Sequence, residues 1–231
     1  MNTNGRKLRF PTRRLEPTGP VDWISHYDHF GPGMVLRRRL HWAAKLLPER
    51  AERVLEIGFG SGVFQYELAS RARVSVGLDI HPHAARVRRE LRQDGVAAEL
   101  VQGDGMTLPF RDGSFDAVVV LSSLEFIPDP AACLRECRRV LRAGGRLICV
   151  RPRKLPWIDV VFRVLLGSDP ETEFEGGRQR VEAAIATVLD GGDRQLRPAG
   201  LPSFLAPYEV LFLQAPGARV VQTTAEIRAV D

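Results

Sequence analysis

Short apolar runs alternate with helix-spaced apolar stripes through the middle of this chain, and that alternation sets its architecture. Val54, Leu55 and Ile57 form the first run, the pattern of a strand covered on both faces. Phe64 to Arg71 then reads as helix, and Val74 to Asp79 as a second apolar strand. Pro82 to Gln93 is a helix stopped at Gly95, and Ala98 to Gln102 a short third strand. Ala117 to Leu121 is a fourth. Asp129-Pro130 opens the next helix, with aspartate as N-cap and proline in the first turn. That helix is expected to run to Arg142, ahead of Gly144-Gly145, and Arg146 to Arg151 is a fifth strand. Gln195 to Arg197 and Tyr208 to Gln214 read as the last two. Strand and helix in turn is the pattern of βαβ units, so the expected class is α/β.

Both flanks break this rhythm. Residues 1–20 are rich in basic side chains, proline and glycine, the composition of a loosely attached arm. Val21 to Phe30 and Met34 to Leu47 read as two helices separated by Gly31-Pro32-Gly33. The second carries Leu36, Leu40, Ala43, Leu46 and Leu47 on one core-facing stripe and is closed by Pro48. Leu155 to Leu166 is unusually apolar for a solvated helix and too short to span a bilayer. It reads as a helix packed on the sheet, as one wall of an apolar cavity, or as a membrane-surface contact, since Trp157, Arg153 and Lys154 suit an interface. Arg178 to Leu189 is a plainer amphipathic helix.

The most informative chemistry lies where the first strand ends. Gly58, Gly60 and Gly62 follow it at every second position, removing side chains where the backbone must turn and a ligand approach closely. Strand, glycine loop and helix make the nucleotide-binding corner of an open α/β sheet. A dinucleotide site wants G-x-G-x-x-G, but Val63 stands where the third glycine belongs. Glu56, two residues before the loop, would repel a pyrophosphate and attract an ammonium group. The combination favours a cationic, phosphate-free nucleoside, which S-adenosylmethionine is, over a nicotinamide dinucleotide. Asp79 closes the second strand, about 20 residues on, where an acid can accept from both ribose hydroxyls. Asp104 follows the third strand and can accept from the adenine amine, while Gly105 leaves room for the ring.

The series VLEIGFGSG, GLDIHP, GDGMTLPF, DGSFDAVVV and LRECRRVLRAGGRLI, over residues 50 to 151, resembles the class I S-adenosylmethionine-dependent methyltransferases. Within them it is most similar to the small-molecule (type 11-like) subgroup. The resemblance implies a Rossmann-like, doubly wound, seven-stranded and mostly parallel sheet with an antiparallel last strand. It implies one domain over residues 21–231, with a helical cap at 21–48, a cofactor-binding core at 50–151, a helical acceptor-side insertion at 152–192, and the last strands and tail at 193–231. It places Glu56 near the methionine amino group, Gly58, Gly60 and Gly62 along the methionine and ribose, Asp79 on the ribose and Asp104 on the adenine. Ile80, Gly105, Met106 and Leu121 are likewise assigned to the cofactor, and Tyr27 of the cap to its carboxylate. Many relatives have histidine where this chain has Phe126, which removes a polar group from the reactive end.

Composition narrows the reading. The chain has 231 residues, 44% apolar and 26% charged, the make-up of a globular domain large enough for a good core. No apolar stretch of about 20 residues suits a membrane span, and the basic N-terminus lacks the apolar core of a secretory signal, so cytoplasmic placement is expected. Cys133, Cys137 and Cys149 read as buried small hydrophobes rather than a disulfide framework. No metal site is expected, because His81 and His83 have no further ligands at zinc-like spacing. The net charge is +5, with arginine greatly outnumbering lysine and forming runs such as Arg37-Arg38-Arg39, Arg88-Arg89 and Arg138-Arg139. These read as solvated helix faces, with an acidic substrate or an anionic membrane surface as functional alternatives. Without aromatic residues interleaved among them, nucleic acid is not an expected partner.

Methyl transfer from a sulfonium is a single displacement whose reactivity the cofactor brings, so no catalytic triad is needed and no catalytic residue is assigned. His26 and His29, beside Tyr27 in the cap, are candidate bases for an acceptor that must lose a proton. The expected partner is a small, hydrophobic or aromatic acceptor methylated on O, N or C. The alternative is a non-catalytic S-adenosylmethionine-binding regulatory or partner protein.

Overall fold

Seven strands hydrogen-bond into one sheet in the order β3-β2-β1-β4-β5-β7-β6. They are β1 (Ala51–Ile57), β2 (Ala72–Asp79), β3 (Glu99–Gln102), β4 (Phe115–Leu121), β5 (Leu141–Pro152), β6 (Asp193–Arg197) and β7 (Tyr208–Gln214). The structure is a computed structural model describing residues 8–11, 14–20, 22–28, 32–153, 155–156, 160, 176–189, 192–197 and 206–217. Strands β1 to β5 pair in parallel, and β7 runs antiparallel to both β5 and β6. The expected doubly wound, Rossmann-like sheet is therefore present, with β7 as its antiparallel strand. Strand order reverses between β1 and β4, which opens a crevice at their carboxyl ends.

Alternation along the strands explains the layering. Val54, Val119 and Ile148 face one side, with Leu40 and Leu47 of α1 (Pro32–Leu46) and its exit, and Val87 and Leu91 of α3 (Ala84–Gln93). Leu55, Val118 and Leu147 face the other, against Leu134 of α4 (Pro130–Val140) and Val181 and Ile185 of α5 (Gly177–Val188). Strand β4 is buried throughout, and its one carboxylate survives there because it is bonded. Asp116 accepts from the backbone N–H groups of Glu52 and Arg53 and pairs with Arg142 at 2.7 Å. Cys133, Cys137 and Cys149 are free and buried in the second layer, as small hydrophobes would be.

Several elements differ from expectation. The stretch expected as a first helix contains a 3₁₀ turn at Trp23–Asp28, and the helix after the glycine loop shrinks to α2 (Gln65–Leu68). The α4 helix stops at Val140 rather than Arg142 because Leu141 turns extended, is buried and pairs with Phe115 as the start of β5. Where a loosely attached arm is expected, residues 14–20 are held. Leu15 and Thr18 are buried, and Arg86 of α3 donates to the Glu16 carboxylate and the Pro17 carbonyl. The arginine runs are only partly solvated. Arg37 lies over the Phe10 ring at 5.0 Å, Arg138 donates to the Val188 carbonyl, and Arg139, paired with Glu136 on its own helix, ties α4 to Asp112 of the β3–β4 loop. The apolar stretch at Leu155–Leu166 lies outside the described residues except for Leu155, Pro156 and Val160. No described helix is long and apolar enough to cross a membrane, and no group of potential metal ligands occurs among the described residues.

Candidate functional site

A cavity of about 430 Å³ occupies the crevice at the β1–β4 switch point, within the size range of small-ligand sites. Glu56 reaches it from the end of β1 and is 3% exposed. Its carboxyl accepts a hydrogen bond from Gln65 Nε2 at 2.6 Å, and Gln65 Oε1 accepts in turn from Ser75 Oγ at 2.8 Å. Burial pushes the Glu56 carboxyl up to about 8, opposed by the Gln65 bond and the Arg39 guanidinium and reinforced by the Asp79 charge. A carboxyl so placed ionises readily only when a cation joins it.

The loop after β1 keeps its glycines for different reasons. Gly58 has φ +77°, and a Cβ there would lie 2.3 Å from Ser123 Oγ. Gly60 donates its N–H to Asp79 Oδ2 at 2.8 Å, which ties the loop to the end of β2. Gly62 does not line the cavity. A Cβ on it would meet Val87 and Leu91 of α3, so this glycine serves helix packing.

Every other residue that sequence assigned to the cofactor lines the same cavity. Asp79 sits at one side with His81, whose Nε2 lies 3.1 Å from the Gly60 carbonyl. Ile80 is 74% exposed, an apolar face turned to open space beside that acid. Asp104 accepts from its own turn at the Met106 N–H, 2.8 Å, and Gly105 is pressed between Ile57, Cys133 and Ile127. Leu121 ends β4 at the cavity floor. Tyr27 is buried in the 3₁₀ turn, where its hydroxyl accepts from Arg39 Nη2 at 2.7 Å. The side chain of His26 and all of His29 lie outside the described residues.

Sequence reasoning missed four participants. Arg39 belongs to a run whose pattern predicts a solvated helix face, yet it enters the cavity beside Tyr27. Asp22 accepts from Thr18 N–H and Oγ1 and stands 3.5 Å from Ser61 Oγ, clasping the N-terminal strap onto the glycine loop. Gln65 positions Glu56, and the missing side chain at Gly77, which faces Glu56 across β1 and β2, leaves space for its amide. Tyr208 begins β7 opposite Pro152 and lines the far end of the cavity. For Gln65 a signal existed: it is a polar residue on the first turn after the loop, where the helix must face the sheet.

An open α/β sheet with a glycine loop at its switch point and acids at three neighbouring strand ends defines a Rossmann-like nucleoside site fitted to a positively charged ligand. A methyltransferase-domain sequence profile matches residues 55–149. The chain is 31% identical over 163 residues to a ubiquinone biosynthesis O-methyltransferase of Xanthomonas axonopodis pv. citri, covering 67% of each protein. It is 41% identical over 120 residues to a demethylmenaquinone methyltransferase of Corynebacterium efficiens, a match to 51% of this chain and about half, 48%, of that relative. A structure of a SAM-dependent methyltransferase from Methanosarcina mazei superposes with a TM-score of 0.55 at 25% identity, over 74% of this chain and 95% of that one. The chain belongs to the class I S-adenosylmethionine-dependent methyltransferases, whose methyl donor is S-adenosylmethionine.

Proposed function

We propose that this protein transfers a methyl group from S-adenosylmethionine to a small apolar or aromatic acceptor. Glu56 carries the reading: a buried carboxyl in a nucleoside-sized cavity, poised to ionise against an ammonium group. The donor set fits the whole cofactor. Glu56, fixed by Gln65, takes the amino group, while Arg39 and the Tyr27 hydroxyl take the carboxylate. Asp79 accepts from the ribose, and Asp104 and the Ile80 face hold the adenine.

S-adenosylmethionine supplies a methyl carbon on a positively charged sulfur. The chain's part is to hold the acceptor in line with it and to keep water away. Pro152 closes β5, on the opposite side of β1 from the strands that carry Asp79 and Asp104, and with Phe126 it lines the cavity, so that end offers an apolar surface. The relatives named for demethylmenaquinone and ubiquinone biosynthesis support a quinone-derived ring as the acceptor class. The NADH-type alternative is disfavoured by Val63 and by Glu56.

Calorimetry with S-adenosylhomocysteine, followed by transfer of a labelled methyl group to a panel of quinols, tests the proposal. Micromolar binding and a labelled product are expected. Tight binding of a nicotinamide dinucleotide with none of S-adenosylhomocysteine would overturn it. Donor binding without transfer to any acceptor would favour the non-catalytic role.

A further inference from the structure

Tyr208 is a buried phenol with no task in the donor site. It is 5% exposed, lines the cavity, and its hydroxyl makes no hydrogen bond to any described residue. The residue is buried while its hydroxyl opens onto the cavity, so a ligand there can take the hydrogen bond that no protein group takes. Its surroundings say which ligand. The ring is held against Trp42, centroids 5.8 Å apart, and pairs in register with Pro152, which has no N–H to offer. Phe126 adds a further apolar side chain to the lining of the same cavity. Arg39, the nearby cation, is already engaged with Tyr27 at 2.7 and 3.3 Å.

We infer that Tyr208 selects the acceptor: its hydroxyl donates a hydrogen bond to an oxygen carried on an aromatic ring that lies against Phe126 and Pro152. The inference rests on the methyl-transfer reading and names the group by which that reaction's acceptor is recognised. Burial pushes the phenol up to about 12 although Arg39 pulls the other way, so the hydroxyl keeps its proton and remains a donor throughout the neutral range. The acceptor class is therefore a hydroxylated or keto-bearing aromatic compound, rather than a purely hydrocarbon one or an amine lacking oxygen.

The test uses the full chain saturated with S-adenosylhomocysteine and two probes of similar shape, 1-naphthol and 1-methylnaphthalene, with binding read by calorimetry. Wild type is expected to bind the naphthol about tenfold more tightly, the factor one hydrogen bond in an apolar chamber supplies. In Tyr208→Phe, which keeps the ring against Trp42, that ratio falls to about one while affinity for S-adenosylhomocysteine stays unchanged. An equal ratio in wild type and variant, or failure of both probes to bind the loaded protein, overturns the inference. Failure of S-adenosylhomocysteine itself to bind wild type overturns the methyl-transfer reading instead, and this inference with it.

Discussion

At position 56 the fold buries a carboxyl group with one amide donor beside it, so its charge depends on what enters the cavity. Its pKa of about 8 lies above the ordinary 4.5, so its contribution to stability is complete below about 4.5 and is lost as pH rises through about 8. Glu125, buried and pushed up to about 7 chiefly by desolvation, acts in the same direction. A ligand ammonium favours the ionised form. Binding of S-adenosylhomocysteine should therefore release a proton near neutrality, and affinity should rise with pH by up to about tenfold per unit below pH 8. Calorimetry in two buffers of different ionisation enthalpy measures the proton, and Glu56→Gln should abolish both effects. Gly58 gives a second prediction. Alanine there meets a left-handed backbone and the Ser123 hydroxyl together, and about 1–3 kcal/mol of stability should be lost on thermal unfolding.

Among the elements, α4 shows how far local patterns carry. Asp129 and Pro130 mark its start in sequence, and the Asp129 carboxylate does accept from the Ala132 N–H at 3.0 Å. Asp129→Ala should cost about 1 kcal/mol and lower the melting temperature by about 2–4 °C in calorimetry. The glycine loop, the strand ends and the acids beside them were equally legible, because each is written in consecutive residues such as Val54 to Gly62. The end of α4 was not, since burial of Leu141 against the sheet outweighs the helical tendency of the residues around it. Arg39 and Tyr208 were illegible for a related reason. One sits in a basic run and the other in a strand near the far end of the chain, and only the folded sheet brings both to one cavity.

Across the whole molecule the N-terminal strap is the least expected feature. Arg86 holds residues 16 and 17, Asp22 clasps Thr18 and Ser61, and Thr18, Gly19 and Pro20 help wall the cavity. Removing residues 1–20 should thus weaken S-adenosylhomocysteine binding by at least about tenfold while leaving the sheet folded, as read by calorimetry and circular dichroism. Unchanged affinity would show that the strap is decoration rather than part of the wall.

Strand β7 runs against its neighbours, and so it presents its first residue, Tyr208, to the cavity where the parallel strands present their last. In the proposed reading, the residues that take the adenosyl group thereby all precede residue 122, and the far wall in large part follows it. On that reading, substitutions in the later half of the chain would change what is methylated and leave intact the half that secures the methyl source.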